Sequence, residues 1–294
     1  MGARVAQARV ASTHGSHCGR RAPSMATMHA PAPEPIPGDL LLRAYRSGIF
    51  PMADHREDGD IYWVEPRERA IIPLGGFLLS GSLRKLLRQD RFRVSCDEAF
   101  DAVIAECAAP REELAESWIS RRIEASYRAL HREGHAHSLE VWRGGVLVGG
   151  LYGVAFDRVF CGESMFSRVP NASKVALAWL VAAMRRAGFR VLDCQFMTEH
   201  LASLGAVTLP QDRYLGLVRA AAGTPDRTLP QAVSAFSSAG SGVAAGEAAA
   251  VALAEGRGAA GETGASRSPP LSPSAGGPPS SPGKAIVQSL THTS

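Results

Sequence analysis

Residues 138–177 read SLEVWRGGVLVGGLYGVAFDRVFCGESMFSRVPNASKVAL. Up to Phe166 the run is rich in Val, Leu, Phe and Tyr, broken by glycines, and predicts a meander of strands. Gly144-Gly145 has the conformational freedom that a two-residue hairpin turn requires. After the polar loop SRVPN the period changes. Leu177, Leu180, Val181 and Met184 form an apolar stripe, which predicts a helix over 172–187, with Asn171 as its cap and Gly188 just past its end. One residue fits poorly. Glu163 sits inside the last strand, and a lone carboxylate in a core strand is costly to bury.

Working outward, the pattern predicts helices over 38–47 (Asp39 as cap, Gly48 past the end), 81–89, 97–108 and 120–133. Strands are expected at 61–64, 91–96 and 189–196. A helical turn at 198–204, a short strand at 206–210 and a helix over 210–222 follow. Strands with helices between and after them predict an α/β (α+β) layer fold, a mixed sheet covered by helices.

Both ends differ from this middle. Residues 1–33 carry four arginines and no acid, and have no apolar segment of the kind that follows a twin-arginine export signal. They are expected to be a disordered extension. Residues 223–294 are built largely of Gly, Ala, Ser and Pro and are expected to be disordered as well. The net charge of +4 therefore belongs to residues 1–33, and both the middle and the 223–294 tail are neutral. Attraction to a polyanion would have to come from local clusters: Arg84, Lys85, Arg88, Arg91 and Arg93; Arg121, Arg122, Arg128 and Arg132; Arg185, Arg186 and Arg190. Five scattered cysteines with no CxxC argue against a disulfide framework and for a reducing compartment. No apolar stretch is long enough to span a bilayer.

Candidate chemistry gathers on two strands. With period two, Asp193 and Gln195 share one face of 189–196, and Cys161, Glu163 and Met165 share one face of the preceding strand. If the two strands adjoin, Glu163, Asp193 and Gln195 converge; separately satisfied carboxylates are the plainer alternative. Trp118, at a helix start, is a candidate platform for stacking a base. His135 and His137 are two apart but lack an acidic or cysteine partner nearby, so no metal is expected. Cys161 and Cys194 fit buried packing better than nucleophilic catalysis.

The segments AYRSGIFPM, IYWVEPRERAII, SWIS, GHAHSLEVW, LVGGLYGVA, FCGESMFSRVPNASKVAL, LDCQF and HLASLGA, in this order, closely resemble the leucyl/phenylalanyl-tRNA–protein transferases of bacteria. The resemblance implies a small N-terminal domain (34–75) joined to an N-acetyltransferase-like domain (76–222). It implies a cytoplasmic enzyme without metal or nucleotide cofactor. Such an enzyme moves Leu or Phe, and Met less well, from aminoacyl-tRNA to the α-amine of proteins that begin with Arg or Lys, a mark for N-end rule degradation. Its partners are leucyl-tRNA, phenylalanyl-tRNA and those proteins, and it is expected to be a monomer that does not contact membranes. By the same resemblance Asp193 and Gln195 are a catalytic pair and Glu163 lies close to the aminoacyl group. Trp118 and Tyr127 hold the terminal adenosine. Leu151, Gly162, Met165, Leu177, Leu180, Met184 and Leu192 wall a pocket for the Leu or Phe side chain. Met52 stands where some relatives have a tryptophan, which puts one stacking contact in doubt. Two rivals remain: an acyl-CoA-dependent N-acyltransferase of the same fold, and a non-catalytic RNA- or peptide-binding module.

Overall fold

The computed structural model describes residues 3–6, 33–110, 117–238 and 281–291. Its centre is a seven-stranded mixed sheet. The strands are β4 (Glu68–Ile72), β5 (Arg93–Cys96), β6 (Ala136–Arg143), β7 (Val146–Phe156), β8 (Val159–Ser167), β9 (Val191–Asp193) and β10 (Val207–Pro210), in the order β10-β4-β9-β8-β7-β6-β5. All neighbours are antiparallel except β8 and β9. The 138–167 meander is the heart of this sheet. Gly144 and Gly145 both hold positive φ, 59° and 79°, in the tight turn between β6 and β7. A smaller sheet joins β1 (Ala3–Ala6), β3 (Tyr62–Pro66) and β2 (Phe50–Met52).

Alternation along the strands builds two cores, one on each face of the large sheet. Leu151, Phe160 and Leu192 enter one, with α5 (Ala172–Ala187) as its main helix and α2 (Gly81–Arg88) and α6 (Glu199–Ala202) beside it. Tyr152, Cys161 and Val191 enter the other, covered by α1 (Gly38–Arg46), α3 (Phe100–Ala108), α4 (Arg121–Arg132) and α7 (Gln211–Ala220). A three-layer arrangement follows, as a sheet with two apolar faces demands.

Several local expectations need correction. Helix α5 has the predicted bounds, but Asn171 does not cap it through its side chain; Asn171 adopts φ 68°, a left-handed turn that asparagine tolerates. The strand expected over 189–196 stops at Asp193, and Gln195 takes φ 56°. Residues 68–72 form a strand within the large sheet, so the chain enters that sheet before residue 76. The tail beyond 222 is not without structure. It carries α8 (Leu229–Ser237), with a Thr228–Gln231 capping box, and α9 (Pro282–Thr291), each with a buried apolar face. Small residues diluted the apolar signal of both helices. In the 1–33 extension, Ala3–Ala6 pairs with β3; the rest of that extension up to residue 32, and the tail between 239 and 280, lie outside the described residues.

Candidate active site

Strands β8 and β9 run parallel from Val159 opposite Val191 to Cys161 opposite Asp193. There β9 ends, while β8 continues to Ser167. The strands part, and a cleft of about 220 Å³ opens between them. Leu151, Gly162, Met165, Leu177, Leu180 and Leu192 line it, together with Glu163 and Gln195. Ser164, Thr198, His200 and Leu201, none singled out in the sequence, complete the lining together with Cys194, which was expected to be buried packing. Met184 does not reach the cleft; it is fully buried in the core.

Glu163 owes its position to a bulge. Along β7 and β8 the register passes from Tyr152–Ser164 to Gly153–Gly162 and skips Glu163. A bulge inserts one residue and re-aims a side chain. Strict alternation, which placed Cys161, Glu163 and Met165 on one face, therefore fails. Cys161 belongs to one core, whereas Met165 packs against the other. Between the two faces, Glu163 reaches residues on both. Gln195 Nε2 donates to its Oε1 at 2.9 Å, and the Tyr127 hydroxyl donates to its Oε2 at 3.1 Å. Tyr127 and Tyr45 share a further hydroxyl–hydroxyl bond of 2.6 Å. Burial pushes the Glu163 carboxyl up to about 8. The nearby Asp193 charge adds to this, and the Tyr45 and Tyr127 hydroxyls and the Arg69 cation pull back. At pH 7 Glu163 thus holds a proton that it can donate.

Asp193 behaves differently. It is fully buried and absent from the cleft lining. Arg69 grips both carboxylate oxygens, Nε on Oδ1 at 3.1 Å and Nη2 on Oδ2. Tyr214 donates its hydroxyl to Oδ2 at 3.1 Å, and the Gln195 backbone N–H donates to Oδ1 at 3.0 Å. Arg69 Nη1 also donates to the Gly48 carbonyl at 3.1 Å, and its guanidinium lies over the Phe50 and Tyr214 rings. Burial alone would lower the Arg69 pKa, but the Asp193 charge outweighs it and the net direction is up. The carboxylate is already occupied by four donors. Its link to the cleft is the Gln195 N–H, which helps fix the left-handed turn that aims the Gln195 side chain at Glu163.

The aromatic expectations divide. Tyr127 is fully buried and presents no ring face to a base; its contribution is the hydroxyl on Glu163. Trp118 and Met52 are half-buried and lie near each other beside the small sheet, where Ala53 N–H donates to the Trp118 carbonyl at 3.3 Å. Phe196, adjacent to Gln195, is 45% exposed and stands edge-on to Phe50, with centroids 5.7 Å apart. Sequence reasoning missed it, because the expected strand would have continued through it. Burial, followed by the Asp193 charge, pushes up both the Cys161 and Cys194 thiols, which opposes a nucleophilic role. His137 bonds Asp97 at 2.7 Å. Among the described residues no group of three or more His, Cys, Asp or Glu side chains is placed to hold a metal, and no helix is long and apolar enough to cross a membrane.

A mixed sheet that splits at its one parallel pair, with an apolar slot and a carboxyl–amide pair at the split, is a layout suited to a group-transfer enzyme. A family model described as leucyl/phenylalanyl-tRNA protein transferase matches residues 71–219, and one described as the N-terminal domain of that transferase matches 38–67. The chain belongs to the leucyl/phenylalanyl-tRNA–protein transferase family. Relatives bearing that name include one from Novosphingobium aromaticivorans, 55% identical over 270 residues, covering 89% of this chain and 98% of the relative. Another, from Rhizorhabdus wittichii, is 60% identical over 188 residues, covering 64% of this chain and 76% of the relative. Among solved structures, L-PGS from Bacillus licheniformis shows a distant likeness, TM-score 0.32 at 12% identity, covering 56% of this chain and 55% of that one, on which nothing rests.

Proposed function

We propose that the protein transfers Leu or Phe, and Met less efficiently, from aminoacyl-tRNA to the N-terminal α-amine of proteins that begin with Arg or Lys, marking them for N-end rule degradation. It acts as a cytoplasmic monomer. The observation that carries this reading is the apolar cleft with the Glu163–Gln195 pair among its lining residues. Its volume of about 220 Å³ lies below the roughly 300–1,000 Å³ of sites for drug-sized ligands, a fit for one large apolar side chain. A slot of this kind separates one methylene by only about 1–3 kcal/mol, so use of Met is expected. Charged side chains are excluded by the cost of stripping their water.

The ester on the tRNA ribose is already activated. The acceptor nitrogen attacks the ester carbonyl carbon, the amide bond forms, and the bond from that carbon to the ribose oxygen breaks. With a reference pKa of about 7.7–8.0, the α-amine is partly neutral at working pH, so placement contributes much of the rate. Glu163, protonated below about pH 8, gives its proton to the departing ribose oxygen and regains one from the amine. Gln195 orients Glu163 and offers its second amide hydrogen to the carbonyl. Asp193, sealed against Arg69, fixes Gln195 and touches no substrate. A cationic acceptor side chain needs an anion elsewhere, and Glu199, exposed beside the cleft residues Thr198 and His200, is placed for it. Phe196 and the Trp118–Met52 pair are the stacking surfaces for the terminal adenosine.

For the tRNA body, the clusters separate. Arg93, Arg121 and Arg128 are paired with Glu98, Glu57, and Glu124 with Asp101. Arg84, Lys85 and Arg88 on α2 carry the phosphate contact. The acyl-CoA rival needs backbone amides at the start of α5 to cradle a pyrophosphate. There Ala172 N–H already donates to the Val169 carbonyl at 3.2 Å and Ser173 N–H to Ser167 Oγ at 3.3 Å. The test is incubation with labelled Phe-tRNA and a protein beginning with Arg. Label at the new N-terminus is expected; acetyl-CoA consumption without such transfer would favour the rival.

A further inference from the structure

Helix α5 is buried along most of its surface, with Arg186 exposed near its end. Leu177 and Leu180 face the cleft, whereas Val175 and Trp179, on another face, meet Leu87, Asp90 and Gly283 around a small crevice. That second face is closed by α8 and α9, both beyond residue 219, where the family match ends. The docking of α9 is specific. Gly283 N–H donates to Asp90 Oδ1 at 2.7 Å, which sets a carboxylate at the helix N-terminus, where the dipole favours an anion. A Cβ on Gly283 would lie 1.8 Å from the Leu87 carbonyl oxygen, so the two backbones approach as closely as they do because this residue has none. Behind Gly283, Ile286 and Val287 are 0% and 3% exposed.

We propose that the groove between α2 and α5 is a docking site whose occupant is this chain's own segment 281–291, a separable clasp that closes the transferase core from outside. Gly283, the Asp90 bond and the buried Ile286–Val287 pair choose that occupant. A covalent tether raises the local concentration of the segment, so docking within one chain prevails over exchange with a second copy. The clasp lies against α2 and α5 at once, and so ties the helix that bears Arg84, Lys85 and Arg88 to the helix that walls the cleft.

The experiment uses the full chain with a protease site introduced between 239 and 280 and cut after folding. The released segment should stay bound at high concentration and leave on dilution. The Tm of the cut protein should then fall with dilution, and Trp179 emission should shift to the red. A synthetic peptide of residues 279–294 should restore both, and the same peptide with Gly283→Val should not. In the uncut chain Gly283→Val should lower Tm by several degrees, while Gln288→Ala, on the exposed side of α9, should leave it unchanged. A Tm of the cut protein indifferent to dilution and to peptide, or equal rescue by the Gly283→Val peptide, would overturn the proposal.

Discussion

Two carboxyl groups meet at the split between β8 and β9, and the chain treats them in opposite ways. Asp193 is sealed and held by Arg69, Tyr214 and the Gln195 N–H. Glu163 is at the cleft, is held by Gln195 and Tyr127, and keeps its proton to about pH 8. What separates them is a cation: Arg69 grips Asp193 directly and reaches Glu163 only as a weaker field. A buried cation occupies one carboxyl group, whereas neutral donors in an apolar wall leave the other with a raised pKa. The first is a fixture for the second.

Breaking the fixture should cost most. Arg69→Met leaves Asp193 as a buried unpaired charge and should destabilise the protein by about 3–5 kcal/mol in urea unfolding. A loss below 1 kcal/mol would show that Asp193 is not sealed. Next is titration of Glu163. Folded, it holds its proton to about pH 8; unfolded, only to about pH 4.5. Its folded pKa is raised, so its stabilising contribution is present below about pH 4.5 and is lost as pH rises to about 8, by on the order of 5 kcal/mol. Glu163→Gln should flatten that slope and remove the alkaline fall in transfer rate near pH 8. An unchanged slope would place the titration elsewhere. The cleft should respond next. Leu180→Ala should change the ratio of Leu to Phe transfer by about 1–3 kcal/mol, read as competing kcat/KM values. Smallest is Tyr127→Phe, which removes one hydrogen bond to Glu163 and should cost about 1 kcal/mol of stability. It should raise the pH of the alkaline limb, since a donor that lowers the Glu163 pKa is lost; a fall would contradict that role.

Much of this was legible in the sequence. The bounds of α5, the Gly144-Gly145 turn and most of the cleft walls follow from period, turn chemistry and the family resemblance. What was hidden depends on distance along the chain or on broken period. Arg69 and Asp193 are 124 residues apart, and nothing local in RERAII marks a buried arginine. The bulge at Glu163 and the left-handed turn at Gln195 both violate the alternation by which a strand is recognised. Irregular backbone there re-aims two side chains, and irregularity is what a periodic reading discards. The helices α8 and α9 were lost among small residues whose composition resembles linker.

The central claim is that Asp193 acts only through Gln195 while Glu163 meets the substrate. Its most direct test is the rate of Phe transfer by the double variant Arg69→Gln/Asp193→Asn, in which amides replace both charges and can keep the bonds to Gln195 and Tyr214. The account predicts activity within about tenfold of wild type in folded protein, against a loss of about 10²–10⁴ for Glu163→Gln. Loss of the double variant's activity to that same extent, with its fold intact, would make the Asp193 carboxylate a direct participant and contradict the account.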